Sequence, residues 1–497
     1  MSLSAARPRR PPVTSLAVLV PGAPEVAVTG ISLSSQRVLP GDLYAALPGS
    51  RAHGIDFAPA AVAAGAVAVL TDPAGVSRAP AGVPLVVVDD PRALLGSLSA
   101  RIYGEPATRM RMIGVTGTQG KTTTTRLLEG GLQAAGITAG VIGTVGTRIA
   151  GHDVETSLTT PEAPDLHALF ARMVEEGVEV CAMEVSSHAL VLGRVDGVVF
   201  DVAVFLNLGR DHLDFHRDLE DYFRAKASLF TPERARRAVV DVDDEHGRRL
   251  AADPAIPTVT CALAAEADWR AVDRRADDQG SSFRVVGPGV DLLAHTPLAG
   301  DYNVANTLAA IAATAQAGLD PARVVEGIAT TRGVPGRLER IDEGQPFTVI
   351  VDYAHKPDAV AAAIRTLRPL TAGKVIVVIG AGGDRDPGKR PLMGEIAAGL
   401  ADVVIVTDDN PRSEDPAAIR AAVLAGARQG SAGQGKAEVV EIGERRTAIE
   451  EAVGRARPGD LVLIAGKGHE TGQEVAGVVH PFDDREVARV ALRHGVS

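Results

Sequence analysis

The chain has 497 residues, with 51 Lys+Arg against 62 Asp+Glu and a formal net charge of −11. Hydrophobic residues at 45% and charged residues at 23% exclude a disordered chain, and the acidic balance argues against a protein that coats nucleic acid or anionic membrane. At about 150 residues per domain the length predicts about three domains, and with aromatics at only 3% their cores must be Ala, Val, Leu and Ile. Two cysteines, Cys181 and Cys261, form no CxxC or Cys/His cluster. Neither zinc nor a disulfide framework is therefore expected, and both thiols read as buried apolar residues in a reducing compartment. The basic start, Arg7 to Pro12, precedes an apolar run, Ser15 to Val20, that Pro21 ends too soon for a signal peptide. No stretch reaches the roughly 18 apolar residues of a spanning helix. The expectation is a cytoplasmic protein with no membrane segment and a loose arm at 1–12.

Short apolar strands alternate with Ala-rich helical stretches almost throughout, which predicts α/β architecture with mostly parallel sheets. A first block, 13–105, has a strand at Leu85–Val88 and an alanine-rich stretch at 60–69. A second, 106–334, opens with the strand Met112–Val115, a glycine loop and a helix from Lys121 to about Ala135. Strands follow at 178–185 and 202–206, and the polar stretch 264–282 reads as a surface excursion. The third block, 335–497, has strands at 347–351, 374–379, 403–407 and 461–465, and a loop at 430–435. Polar clusters at 116–123, 184–188, 207–216, 352–355, 382–390, 407–412 and 466–470 each follow a strand directly. Ligands of open parallel sheets bind at such carboxyl ends, so two facing sites with the ligand in a cleft between domains are expected.

Gly117-Thr118-Gln119-Gly120-Lys121-Thr122-Thr123 lies between a strand and a helix. Glycines let backbone N–H groups approach phosphate, Lys121 can reach the terminal phosphates, and the Thr122 hydroxyl can bind Mg²⁺. The general phosphate-loop pattern asks for glycine where this chain has Val115, so the loop is a shortened variant. Glu184 could share that Mg²⁺, or close a satisfied strand end. Asn207 to His216 gathers Asp211, His212, Asp214 and His216, which suits a second divalent cation or an exposed polar loop. Lys226, in YFRAKASLF, sits among apolar residues at helical spacing. A buried lysine has an accessible neutral amine that can capture CO₂ as a carbamate; a snorkelling side chain is the alternative. In the third block, Asp409-Asn410-Pro411-Arg412, Arg390, Gly466 and Glu470 bring two cations and an anion to neighbouring strand ends. That set suits an amino acid with two carboxylates and an ammonium, solvated loop charges being the alternative.

Taken in order, these motifs resemble the Mur ligases over about 30–482, in the branch that adds the third residue of the peptidoglycan stem peptide. The resemblance rests on the GTxGKT loop, Thr159-Thr160-Pro161, EVSSH at 184–188, DHLDxH at 211–216, the YFxAKxxLF helix and Gly300-Asp-Tyr-Asn303-Val-Ala-Asn306. Pro335-Gly-Arg337-Leu-Glu, Asp352-Tyr-Ala-His355, GGDRD…GKRP and GKGHE at 466–470 complete it.

The resemblance implies a three-domain ATP-dependent amide ligase, with a phosphate-loop central sheet and a Rossmann-like C-terminal domain. It implies that ATP phosphorylates the D-Glu carboxylate of UDP-MurNAc-L-Ala-D-Glu and that the amine of meso-diaminopimelate displaces phosphate from the acyl phosphate. Lys121 is implied as the phosphate-binding cation. Thr122 and Glu184 are implied to hold one Mg²⁺, and His212 with carbamylated Lys226 a second. Asn303, Asn306, Arg337 and Asp352 match the ATP side; Leu33, Ser35, Ser50, Arg51, Ala52, Thr159, Thr160, Ser186 and Arg194 match the nucleotide-sugar side. Arg390, Asp409, Asn410, Pro411, Arg412, Gly466 and Glu470 match the diaminopimelate pocket, and the lysine-adding branch lacks the arginine of DNPR. The chain departs from the family at Ser34-Ser35-Gln36, where Asp-Ser-Arg is frequent, and at Leu158 and Leu192, where asparagine and glutamine are common. A monomer with small-molecule substrates alone completes the expectation. The rivals are the lysine-adding enzyme, the D-Ala-D-Ala-adding ligase, folylpolyglutamate synthase, a non-catalytic homologue and a phosphate-loop NTPase switch or motor; Val115 speaks against the last.

Overall fold

The computed structural model describes residues 6–277, 279–331, 333–433 and 437–495. The chain divides into two compact units: Met1–Val272 with Arg284–Ala294 and Ala305–Thr331, and Asp273–Phe283 with His295–Val304 and Arg332–Ser497.

The first unit holds two parallel sheets. Strands Gly30–Ser32, Asp42–Ala45, Ala68–Thr71 and Leu85–Val87 pair in that order, all parallel. In the larger sheet, Ala139–Gly143, Val180–Glu184, Arg111–Thr116, Val202–Phe205, Ala238–Asp241 and Thr258–Ala262 lie side by side in parallel. A hairpin, Gly146–Ile149 with His152–Val154, adds antiparallel strands beside Ala139–Gly143. Strand Arg111–Thr116 is central and reads as an almost unbroken apolar run because both of its faces are covered. Its carboxyl end feeds the glycine loop and the helix Lys121–Ala134.

The second unit is a six-stranded sheet ordered Glu339–Ile341, Thr348–Asp352, Leu461–Ala465, Val375–Ile379, Val403–Val406 and Glu438–Glu441, antiparallel only at its first pair. The period of two in strands splits its core in two. Val375, Val377 and Ile379 pack with Val360, Ile364, Met393 and Val423 on one face, whereas Ile376 and Val378 pack with Ala448, Ile449, Val487 and Ala488 on the other. This is the Rossmann-like arrangement expected, with helices on both faces.

Three local expectations need correction. Residues 264–282 are not a surface excursion: strands Trp269–Asp277 and Gly280–Gly287 occupy most of the stretch. Trp269 and Ala271 are buried and alternate with partly exposed neighbours, a period of two hidden among charged residues. The stretch predicted as a loop at 430–435 is helical as far as Gly433, in Pro416–Gly433, and the rest of it lies outside the described residues. A side chain at Gly430 would meet the Glu395 carbonyl of the neighbouring helix at 2.3 Å, so glycine here serves close helix packing rather than a turn. The N-terminal arm is held at Arg7, whose partly buried guanidinium donates to Asp42, to Tyr103 and to the Ile31 carbonyl.

Between helices Arg445–Arg455 and Asp484–Gly495, the Arg445 and Asp484 side chains form a fully buried bidentate pair at 2.8 and 2.7 Å. The same guanidinium donates to the Asp408 and Ala465 carbonyls, bracing the ends of strands Val403–Val406 and Leu461–Ala465. Removing one partner strands the other charge away from water. Asp484→Ala is therefore expected to cost about 3–5 kcal/mol of stability, read as a lower midpoint in chemical denaturation.

Candidate functional site

All seven polar clusters stand at the carboxyl ends of parallel strands. In the first unit the phosphate loop is cinched from several sides. The Thr118 N–H donates to the Asn207 carbonyl at 3.0 Å, and the Gln119 N–H donates to Asn207 Oδ1 at 2.9 Å. The Thr118 hydroxyl accepts from the Gly209 N–H at 2.9 Å and lies 3.2 Å from the Tyr222 hydroxyl. Gly120 has φ +86, a left-handed conformation that strains any other residue, and a Cβ there would press on Asn306 Oδ1 at 2.2 Å. Lys121 folds back over the loop and donates to the Gly117 and Thr118 carbonyls at 2.7 and 3.1 Å. Thr123 is buried behind it in the first turn of the helix.

Thr122 Oγ1 donates to Glu184 Oε1 at 2.9 Å, and the same carboxylate accepts the Thr144 N–H at 2.8 Å and the Thr144 hydroxyl at 3.1 Å. Two buried hard oxygens beside a phosphate loop form a donor set that fits Mg²⁺. Among the described residues no three His, Cys, Asp or Glu gather as a metal cage.

Lys226 is 1% exposed, which decides against snorkelling. Its Nζ donates to the Gly117 carbonyl at 2.9 Å and lies 4.6 Å from the centre of the Tyr222 ring. On that ring's other contacts, His212 lies 6.0 Å and His216 4.9 Å away between centroids, and His188 stacks on Phe215 at 4.0 Å. The fold thus gathers His212 and Lys226 around one tyrosine. Burial lowers the pKa of His216, helped by the Lys226 charge and opposed by Asp221. Burial likewise lowers that of His188, with His216 acting in the same direction.

Thr160, Ser186 and Arg194 meet where strand Val180–Glu184 ends. The Thr160 hydroxyl donates to the Glu184 carbonyl at 2.8 Å and accepts the Ser186 N–H at 3.2 Å; Arg194 donates to the Thr160 carbonyl at 3.3 Å and to Glu162 at 2.8 Å. The Thr159 hydroxyl lies 3.0 Å from that of Thr144. Leu33 and Ser35 follow strand Gly30–Ser32, and Ser50, Arg51 and Ala52 form an exposed turn closed by the Pro48–His53 bridge. The fold ties this domain to the Thr160 segment through Arg37, which donates to both oxygens of Asp165 at 3.0 and 2.8 Å. Gln36 and Leu158 are exposed and Leu192 partly so.

In the second unit, Asp352 accepts the Leu338 and Ala354 N–H groups at 2.7 and 2.9 Å, and the Arg337 guanidinium stacks 4.6 Å over Tyr353. Burial raises the Asp352 pKa against the pull of Arg337. Asn303 is buried and donates to the Ala299 carbonyl at 2.8 Å. Three strand ends, those of Val375–Ile379, Val403–Val406 and Leu461–Ala465, bring the DNPR cluster together. Arg390, 5% exposed, donates to the Gly382 carbonyl at 3.3 Å, and Arg412 donates to the adjacent Gly383 carbonyl at 2.6 Å. Asn410 lies in the same turn, accepting the Gly383 N–H on its carbonyl at 2.9 Å and donating its side-chain amide to Glu470 at 2.8 Å. Pro411 is buried between them, and Gly466, at φ +123, leaves room for Asp409, which a Cβ would approach to 2.9 Å.

Several participants escaped the sequence reading. Glu414 pairs with Arg390 at 2.7 Å and Glu474 with Arg412 at 3.5 Å. Thr144, Tyr222 and Lys467 also belong to the sites. Lys467 stood inside the glycine-rich GKGHE stretch and Tyr222 at the head of the YFRAKASLF motif, so both lay within motifs already singled out; Thr144 carried no signal.

Three family models match: "Mur ligase family, catalytic domain" at 27–103, "Mur ligase middle domain" at 115–314 and "Mur ligase, glutamate ligase domain" at 336–468. The chain is 57% identical over 474 residues, 94% of its length and 93% of the other's, to the UDP-N-acetylmuramoyl-L-alanyl-D-glutamate–2,6-diaminopimelate ligase of Streptomyces avermitilis. It is 45% identical to the protein of that name from Geobacillus thermodenitrificans, covering 94% of this chain and 95% of that one. A solved structure of a ligase with the same name superposes with a TM-score of 0.70 at 34% identity, over 98% of this chain and all (100%) of that one. The MurF ligase of Thermotoga maritima in complex with ADP, at 19% identity, 94% and 96% coverage and a TM-score of 0.64, shares the fold. With ordered family models along its length and relatives identical at more than half their positions, this chain belongs to the Mur ligase family.

Proposed function

We propose that this protein joins meso-diaminopimelate to the D-Glu carboxylate of UDP-MurNAc-L-Ala-D-Glu at the expense of ATP. The observation that carries the reading is the pair of guanidiniums, Arg390 and Arg412, set on adjacent carbonyls beside Asn410 and Glu470. Two cations suit a substrate with two carboxylates, and the acidic group suits its ammonium. The relatives' names point the same way.

A carboxylate is a poor electrophile at neutral pH, so the γ-phosphoryl group is transferred to it, giving ADP and an acyl phosphate. The substrate amine then attacks the acyl carbon, its proton is lost to solvent or base, and phosphate leaves. Lys121 and the loop N–H groups offset the phosphate charge. Bound Mg²⁺ supplies further neutralisation of that charge. Thr122 and Glu184 are the residues to hold one ion, and His212 with a CO₂-derived carbamate on Lys226 those to hold a second. Asn303, Asn306, Arg337 and Asp352 serve the nucleotide; Leu33, Ser35, Ser50, Arg51, Ala52, Thr159, Thr160, Ser186 and Arg194 serve the nucleotide sugar. The division into 13–105, 106–334 and 335–497 assigns nucleotide sugar, ATP and amino acid to successive blocks, in a cytoplasmic monomer that binds neither nucleic acid nor membrane. No described helix is long and apolar enough to cross a membrane.

The test is phosphate release with ATP, Mg²⁺ and UDP-MurNAc-L-Ala-D-Glu, offering meso-diaminopimelate and L-lysine in parallel. Release that depends on diaminopimelate is expected. Preference for lysine would overturn the pocket assignment, and release needing neither amine would return the NTPase reading.

A further inference from the structure

The amino-acid site contains a cation that neither contacts solvent nor belongs to the guanidinium pair. Lys467 is 0% exposed. It sits between Gly466 at φ +123 and Gly468 at φ +56, and a Cβ on Gly468 would meet the Gly336 carbonyl at 2.7 Å. This left-handed, closely packed segment turns the lysine inward. Its ammonium donates to Asn410 Oδ1 at 3.0 Å and to Glu470 Oε2 at 3.3 Å, and lies 3.6 Å from Asp409 Oδ1.

These contacts set the orientation of Asn410. Its Oδ1 accepts from both Lys467 and the Glu474 N–H, at 3.0 Å each, so its Nδ2 must face the other way, where it donates to Glu470 Oε2 at 2.8 Å. One oxygen of Glu470 is thereby occupied twice and its rotamer is held. Asp409 Oδ1 is buried with no hydrogen-bond partner among the described residues. Asp409, Glu470 and Lys467 together carry one negative charge in excess, because the nearby Arg445 is matched by Asp484. A cluster one positive charge short, with Lys467 and Asp409 buried and Glu470 at its open edge, is stabilised by an incoming ammonium.

We infer that Lys467 is a positioning residue of the amino-acid site: it fixes the Asn410 amide and the Glu470 carboxylate in the arrangement that receives the substrate's ammonium end, and keeps that cluster's excess charge at one. The inference rests on the diaminopimelate reading above. Lys467 touches no substrate atom itself; it acts through Asn410 and Glu470.

The test compares wild type, Lys467→Met, Lys467→Gln, Asn410→Ala and the double variant Lys467→Met/Asn410→Ala in steady-state phosphate release and in direct ATP and nucleotide-sugar binding. Wild type is run first with diaminopimelate; if it fails to use that amine, the functional reading fails, independently of Lys467. With that control in hand, Lys467→Met and Lys467→Gln should each raise the KM for diaminopimelate tenfold or more, at unchanged Kd for ATP and nucleotide sugar. In the Asn410→Ala background the Lys467→Met step should add less than threefold, because the route of its action is gone. A KM within twofold of wild type, an equal loss in both backgrounds, a parallel loss of nucleotide binding, or failure of both lysine variants to fold would each overturn the inference.

Discussion

Replacing Lys226 by Ala is expected to lower the rate of phosphate release by about 10²–10³-fold, the scale seen when one preorganised electrostatic contact to a reacting phosphoryl or acyl group is lost. The residue is buried at 1% exposure under the phosphate loop, bound to the Gly117 carbonyl and facing Tyr222, around which His212 also packs. A side chain in that position influences both the loop and the histidine. Its two chemical forms separate in one assay. If the working form is a carbamate, formate or acetate at high concentration should restore part of the lost rate, because a small carboxylate can take the vacated place. If the working form is the ammonium, carboxylates should restore nothing and a small alkylamine should. Full activity in Lys226→Ala would remove the residue from the machinery altogether.

Arg412→Leu is expected to raise the KM for meso-diaminopimelate by about 30-fold or more, corresponding to loss of about 2 kcal/mol or more from a partly buried charge pair. Arg412 stands at φ +53, held there by a backbone N–H to the Glu474 carbonyl at 2.9 Å and a bridge to Val475. Its guanidinium rests on the Gly383 carbonyl and is accompanied by Glu474. The backbone pose and the planar donor fork are both part of the site, so Arg412→Lys should lose most of the same discrimination despite keeping the charge. The comparison amine, L-lysine, has no second carboxylate, and its turnover should change far less than that of diaminopimelate. Equal losses for the two amines would show that Arg412 supports the fold of the turn rather than choosing the substrate.

The strands, the glycine loop and the strand-end clusters were legible because each is a local property. A run such as Val375–Ile379 is apolar on both faces, and a strand covered on both sides needs that composition whatever its neighbours. The phosphate loop was legible because glycines, lysine and threonine at fixed spacing answer directly to the geometry of phosphate. The failures were also local in cause. At 269–277 the buried alternation lasts for Trp269 and Ala271 only, before a run of charged and exposed residues. At Gly430 the turn signal of glycine was overridden by close helix packing.

By itself, the sequence determined the α/β class, the strand ends that carry the seven polar clusters, and the residue types offered at the phosphate loop and the DNPR turn. Tertiary structure decided which of those residues meet. Thr122 and Glu184 are 62 positions apart and Lys226 lies 109 from Gly117, yet each pair is within hydrogen-bond reach. Arg390 has Glu414 for a partner, and Lys467 has Asn410, 57 positions away. Such pairings depend on strand order in a parallel sheet, where neighbours are set by crossover helices rather than by chain proximity. A side chain's charge is written in its own letter, whereas its partner, its burial and the direction it faces come from the elements that fold around it.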